Sequence, residues 1–106
     1  MVRRRAHASA QIRRLVRRII WTAEAVSNLE SIFAYVSAFN ASAAVRLAQR
    51  LQSAADSLAM HPDRGRETVR GLRELAIIHP YLIRYRVRDD AVLILRIRHG
   101  AQDVEA

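Results

Sequence analysis

The chain has 106 residues, half of them apolar, which suits one buried core and is too short for two. It has no cysteine, so disulfides and zinc–thiolate sites are excluded, and its apolar content excludes a wholly disordered chain. The net charge of +8 comes entirely from arginine, and Arg3, Arg4, Arg5, Arg13, Arg14, Arg17 and Arg18 crowd a start that has no acid.

The remaining 88 residues hold 11 arginines against 10 acids, so the basic balance belongs to the first 18 residues. A nucleic-acid role argued from charge alone would therefore rest on that segment. The segment reads as a phosphate-binding arm, superficially as an organellar transit peptide, or as a floppy terminus. Because the organised pattern begins near Val16, residues 1–16 are expected to be a disordered basic extension. Val16 is then the expected native start, and residues 17–103 the domain. No stretch is long and apolar enough to span a membrane, and the start lacks a secretory apolar core. The expected location is the cytoplasm.

Residues 17–21, RRIIW, form a β-branched and aromatic run suited to a strand. Thr22 is the expected N-cap of a helix, with Glu24 in the first turn. Val26, Leu29, Ile32, Phe33 and Val36 recur at three- and four-residue spacing and predict its buried face. Asn40 ends that helix or caps the next, which is predicted over residues 41–60. Its apolar stripe is Ala44, Ala48, Leu51, Ala55 and Leu58, with Leu47 and Ala54 beside it. Only three residues separate the helices, which predicts an antiparallel hairpin. Pro62 and Gly65 then open a loop. Strands are predicted over residues 72–78, 81–88 and 91–99, with Asp89-Asp90 as the hairpin turn. Alternation places Tyr81, Ile83, Tyr85 and Val87 on one face, and Leu82, Arg84, Arg86 and Arg88 on the other. Continued through the last strand, it joins Leu93, Leu95 and Ile97, and opposite them Val92, Ile94, Arg96 and Arg98. The expectation is an α+β domain of order β-α-α-β-β-β: an N-terminal strand, a two-helix hairpin and a three-stranded antiparallel sheet. One sheet face packs on the helices; the other carries a double row of arginines.

Three strings carry a family resemblance: RRIIWTAEAVSNLESIFAYV, HPDRGRETVRGLRELAI and PYLIRYRVRDDAVLILRIRHGAQD. In this order and spacing they resemble the RelE/ParE toxin superfamily, and the ending RIRHGAQD is similar to the terminal strand and tail of its ParE-like branch. The resemblance implies the toxic half of a type II toxin–antitoxin pair, often called a plasmid stabilisation module. It implies a cognate antitoxin whose C-terminal part wraps the toxin and whose N-terminal part binds operator DNA, so that DNA is contacted through the antitoxin. Superfamily members either block DNA gyrase, like ParE, or cleave mRNA on the ribosome, like RelE.

Metal-free RNA cleavage needs a base, an acid and cations around the phosphate. The resemblance makes Arg73, Arg84, Arg96 and Arg98 candidate clamps, and Tyr81, Tyr85 and His99 candidate proton carriers, His99 foremost. Against this, Tyr81 and Tyr85 share the core-facing phase, and His99 follows Leu95 and Ile97. RelE-like nucleases also carry lysines, and an arginine where this chain has Leu82; lysine is absent here, and arginine is a poor base. The expected mode is therefore non-catalytic arrest of growth through gyrase. Ribosome-dependent cleavage and a degenerate co-repressor are the alternatives. Arg84, Arg86, Arg96, Arg98 and His99 are the expected partner-binding surface, read also as a solvated face that resists aggregation. No cofactor and no metal are expected, since the chain shows neither a glycine-rich phosphate loop nor a Cys/His cluster.

Overall fold

A computed structural model describes residues 16–100. The extension expected over residues 1–16 lies, apart from Val16, outside the described residues, as does Asp103 of the terminal HGAQD string. The elements are β1 (Arg18–Trp21), α1 (Ala23–Ser37), α2 (Ala41–Asp56), a 3-10 turn (Ser57–Ala59), β2 (Arg66–Glu67), β3 (Arg73–Leu75), β4 (Tyr81–Val87) and β5 (Ala91–His99). The strands form one sheet in the order β1-β5-β4-β3-β2. The α+β class and the helix hairpin agree with expectation. The sheet has five strands because β2 forms inside the predicted loop and pairs with a β3 shorter than predicted. β1 joins the far edge parallel to β5, a pairing that strand patterning does not encode.

The predicted caps are used. Thr22 Oγ1 accepts from Ala25 N–H and Asn40 Oδ1 from Ala43 N–H, each satisfying an orphan donor of a first turn. The stripe of α2 is buried through Ala44, Leu51, Ala54 and Ala55, continued by Leu58. On α1 the outcome differs. Ala25 is fully buried, and Leu29 and Ile32 pack against the core, but Val26 and Phe33 stay 41% and 39% exposed. Among the described residues this helix is covered mainly by α2 and β5, so a stripe as wide as the periodicity suggests is not wholly roofed.

The alternation expected along β5 fails at one residue. Tyr85 pairs with Ile94 and Arg84 with Arg96, which leaves Leu95 without an opposite number: a β-bulge. The bulge shifts the phase, so Val92 and Ile94 before it and Ile97 after it all face the helices, against Val87, Tyr85 and Ile83. Val92 and Ile94 are therefore core residues and do not share the arginine face. The bulge brings two successive carbonyls, of Ile94 and Leu95, which a regular strand would aim apart, each within 2.9 Å of the Thr22 hydroxyl. Here β1 ends and α1 begins. Asn28 Oδ1 then accepts from Ile97 N–H (3.0 Å), so a helix side chain serves the half of β5 that β1 does not reach.

Candidate functional site

The sheet face away from the helices is built around Glu74. In β3 it sits opposite Arg84, which in turn faces Arg96 across β4 and β5. Glu74 is 7% exposed, and its Oε2 accepts from Arg84 Nε (3.1 Å), Arg84 Nη2 (2.9 Å) and Arg98 Nε (2.7 Å). The Arg98 hydrogen bond is the main cause holding the Glu74 carboxyl below the usual carboxylate range; burial opposes it, and Arg84 adds to it. Two members of the expected arginine row thus converge on one buried acid. The Arg84 and Arg98 side chains are only 29% and 14% exposed. Arg96 lies 3.6 Å from Glu24 of α1, and Arg86 stands opposite Leu93 near Gly71.

The candidate proton carriers separate. Tyr85 is fully buried; its hydroxyl accepts from Gly65 N–H (2.9 Å) and donates to the Pro62 carbonyl (2.6 Å). Burial raises its pKa above the ordinary tyrosine value. It ties the loop before β2 to the sheet, and no proton-transfer role is open to it there. A methyl group on Gly65 would stand 2.7 Å from both that hydroxyl and the Glu74 carbonyl oxygen, which is why this position suits glycine. Arg73 Nη1 donates to the Gly65 carbonyl (2.6 Å), bracing the same loop. Arg73 lies beside Tyr85, four residues along β4 from Tyr81, roughly 13 Å at strand rise. It is not part of a site with Tyr81 and His99.

Those two are together. Tyr81 pairs with His99, and their rings meet edge to face with centroids 5.7 Å apart. They open on a cleft of about 560 Å3 between α1 and the end of β5, where Arg96 and Arg98 meet Asn28, Ser31 and Tyr35. The α1 side of this cleft is not evident in the sequence. Its one local signal is Tyr35 and Phe39, four residues apart and outside the apolar stripe, whose rings are 5.4 Å apart and 69% and 77% exposed. Among the described residues no group of three or more His, Asp or Glu could hold a metal ion. No described helix is long and apolar enough to cross a membrane.

Residues 19–104 match the family model described as "ParE toxin of type II toxin-antitoxin system, parDE". The chain is 49% identical over 84 residues to Toxin RelE2 of Caulobacter vibrioides, covering 79% of this chain and 96% of that protein. It is 39% identical over 88 residues to Putative toxin Y4kP of Sinorhizobium fredii, covering 81% and 91%. A solved structure titled "Chromosomal ParDE TA system from P. aeruginosa" superposes with a TM-score of 0.70 at 22% identity, covering 79% of this chain and 96% of that one. At that identity the likeness speaks for the fold.

Proposed function

From the premise that this chain belongs to the ParE toxin family of type II toxin–antitoxin systems, we propose that it arrests growth by binding DNA gyrase, without catalysis, until a cognate antitoxin covers it. The toxin role and an antitoxin partner follow from the family; the target and the mode are our reading. One observation carries it. Most side chains that a metal-free nuclease would need are spent on holding the fold. Tyr85 and Arg73 brace the Pro62–Gly65 loop, and Arg84 and Arg98 share Glu74. What remains outward is a shaped surface, and binding by a few buried anchors needs no acid–base pair. Among the described residues, Arg86, Arg96 and His99 are the parts of the expected partner surface that no hydrogen bond or ion pair ties to Glu74, and the proposed location is the cytoplasm.

A second reading is favoured by Tyr81 and His99, which stand beside Arg96 in the open cleft and resemble an acid–base pair next to a phosphate clamp. It would make the chain a ribosome-dependent endoribonuclease. Induction in a bacterium, with reporters of DNA supercoiling and of translation, separates the two. Filamentation with translation continuing supports gyrase. Early translation arrest with cleaved messages refutes it.

A further inference from the structure

Among the described residues, two buried side-chain polar atoms lack a hydrogen-bond partner, Arg96 Nε and His99 Nδ1. Both residues line the cleft between α1 and the end of β5, and His99 also borders a neighbouring recess beside His79 and Pro80. Buried polar atoms are nearly always satisfied, so two such atoms in one cleft point to a ligand. The Glu24 carboxylate, 3.6 Å from Arg96 Nε and 61% exposed, is too distant to hydrogen-bond it.

The rest of the lining is rich in donors. Asn28 commits Oδ1 to Ile97 N–H, which leaves its amide Nδ2 as its remaining polar group. The Ser31 and Tyr35 hydroxyls stand at the α1 side, and among the described residues no acid lines the cleft, Glu24 and Glu74 meeting Arg96 and Arg98 from outside it. Such a set suits a carboxylate held by charge-assisted hydrogen bonds. Beyond the mouth, Tyr35 and Phe39 present exposed aromatic surface, their rings in edge contact. Nucleic acid fits less well, because residues 19–106 are nearly neutral and the Tyr81 ring is engaged with His99.

We infer that this cleft binds one acidic side chain of the antitoxin, from a segment whose neighbouring apolar residues lie over Tyr35 and Phe39. The inference rests on the toxin–antitoxin reading above. It locates the antitoxin's anchor where the Arg96 end of the arginine row meets α1, and leaves Arg84 outside the cleft.

The test is calorimetric titration of the full chain with the antitoxin encoded beside it. Arg96→Gln removes the guanidinium whose Nε has no hydrogen-bond partner. Ser31→Glu, at an exposed helix position that needs no repacking, sets a carboxylate at the mouth. Each is expected to weaken binding about thirty-fold or more, while Arg46→Gln on α2 leaves it unchanged. Changing one acid of the antitoxin tail to its amide should give the same loss, with little further loss when combined with Arg96→Gln. Unchanged affinity in both folded toxin variants would overturn the inference and leave the toxin–antitoxin reading standing. Loss of binding to a single-stranded RNA 12-mer with antitoxin affinity intact would also overturn it, making the cleft a phosphate site. If the wild-type chain fails to bind the antitoxin, the reading itself falls and takes the inference with it.

Discussion

Replacing Glu74 by Gln tests whether the arginine face is a binding surface or a structural device. The carboxylate is 7% exposed and accepts three hydrogen bonds from Arg84 and Arg98 through one oxygen. Glutamine keeps the size but removes the charge, leaving two guanidinium groups close together and partly buried. Breaking a buried ion pair from one side costs about 3–5 kcal/mol. Arg84 is 29% exposed and regains some hydration, so the lower end, about 3 kcal/mol, is expected. A domain of this size has roughly 5–12 kcal/mol in total, so the loss is a large fraction. It corresponds to a fall in Tm of about 12–24 °C. Urea denaturation followed by circular dichroism at pH 7 measures it. The pH dependence adds a check with a fixed sign. The Glu74 carboxyl titrates lower in the folded chain than in the unfolded one, so its contribution is complete above the ordinary glutamate value of about 4.3. It is lost as pH falls below that value and through the folded pKa, so the gap between wild type and variant should narrow in acid. A loss under about 1 kcal/mol, or one abolished by 0.5 M salt, would refute the reasoning and make the cluster an ordinary screened surface pair.

Reversing Arg84 and Arg98 together to Glu should unfold the chain and not merely weaken partner binding, whereas Arg86→Glu should leave thermal stability within about 0.5 kcal/mol; thermal melts of the two variants decide. Tyr85→Phe leaves the Gly65 N–H and the Pro62 carbonyl without their partner and should cost about 1–3 kcal/mol in urea denaturation. Because burial raises the Tyr85 pKa, wild-type stability should also decline as pH rises above about 10, and the phenylalanine variant should lack that contribution. Thr22→Ala removes the cap of α1 and the hydroxyl at the β5 bulge together; a loss of about 2 kcal/mol is expected, against about 1 for a cap alone, measured beside Asn40→Ala.

The helix hairpin and its caps were legible in the sequence because each depends on residues close in the chain. Thr22 and Asn40 need only the next three residues to act as caps, and the α2 stripe from Ala44 to Leu58 is a local period. The hairpin of β4 and β5 was legible for the same reason, through Asp89-Asp90 and the alternation of β4. Along β5 that alternation misled. The bulge at Leu95 is met by the hydroxyl of Thr22, more than seventy residues away, and nothing within β5 announces it. The exposed flank of α1 is not legible in the sequence, because periodicity shows which residues are apolar but not how much surface α2 and β5 can cover.

The site divides along the same line. The family and the arginine-rich strands could be reached from motif, order and alternation. The pairing of Tyr81 with His99 needs the bulge, since an unbroken register from Asp89-Asp90 would set Tyr81 opposite Arg98. Only the tertiary structure decided which arginines are outward. Glu74 of β3 meets Arg98 of β5 across an intervening strand, through 24 residues of chain, and that contact turns two candidate ligand-binding cations into fold-holding ones. It also brought Asn28, Ser31 and Tyr35 of α1 to the end of β5, making a cleft from segments that share no local pattern. The physical reason is that propensity, capping and periodicity act over a few residues, whereas the state of a charged side chain depends on whichever distant groups the fold places beside it.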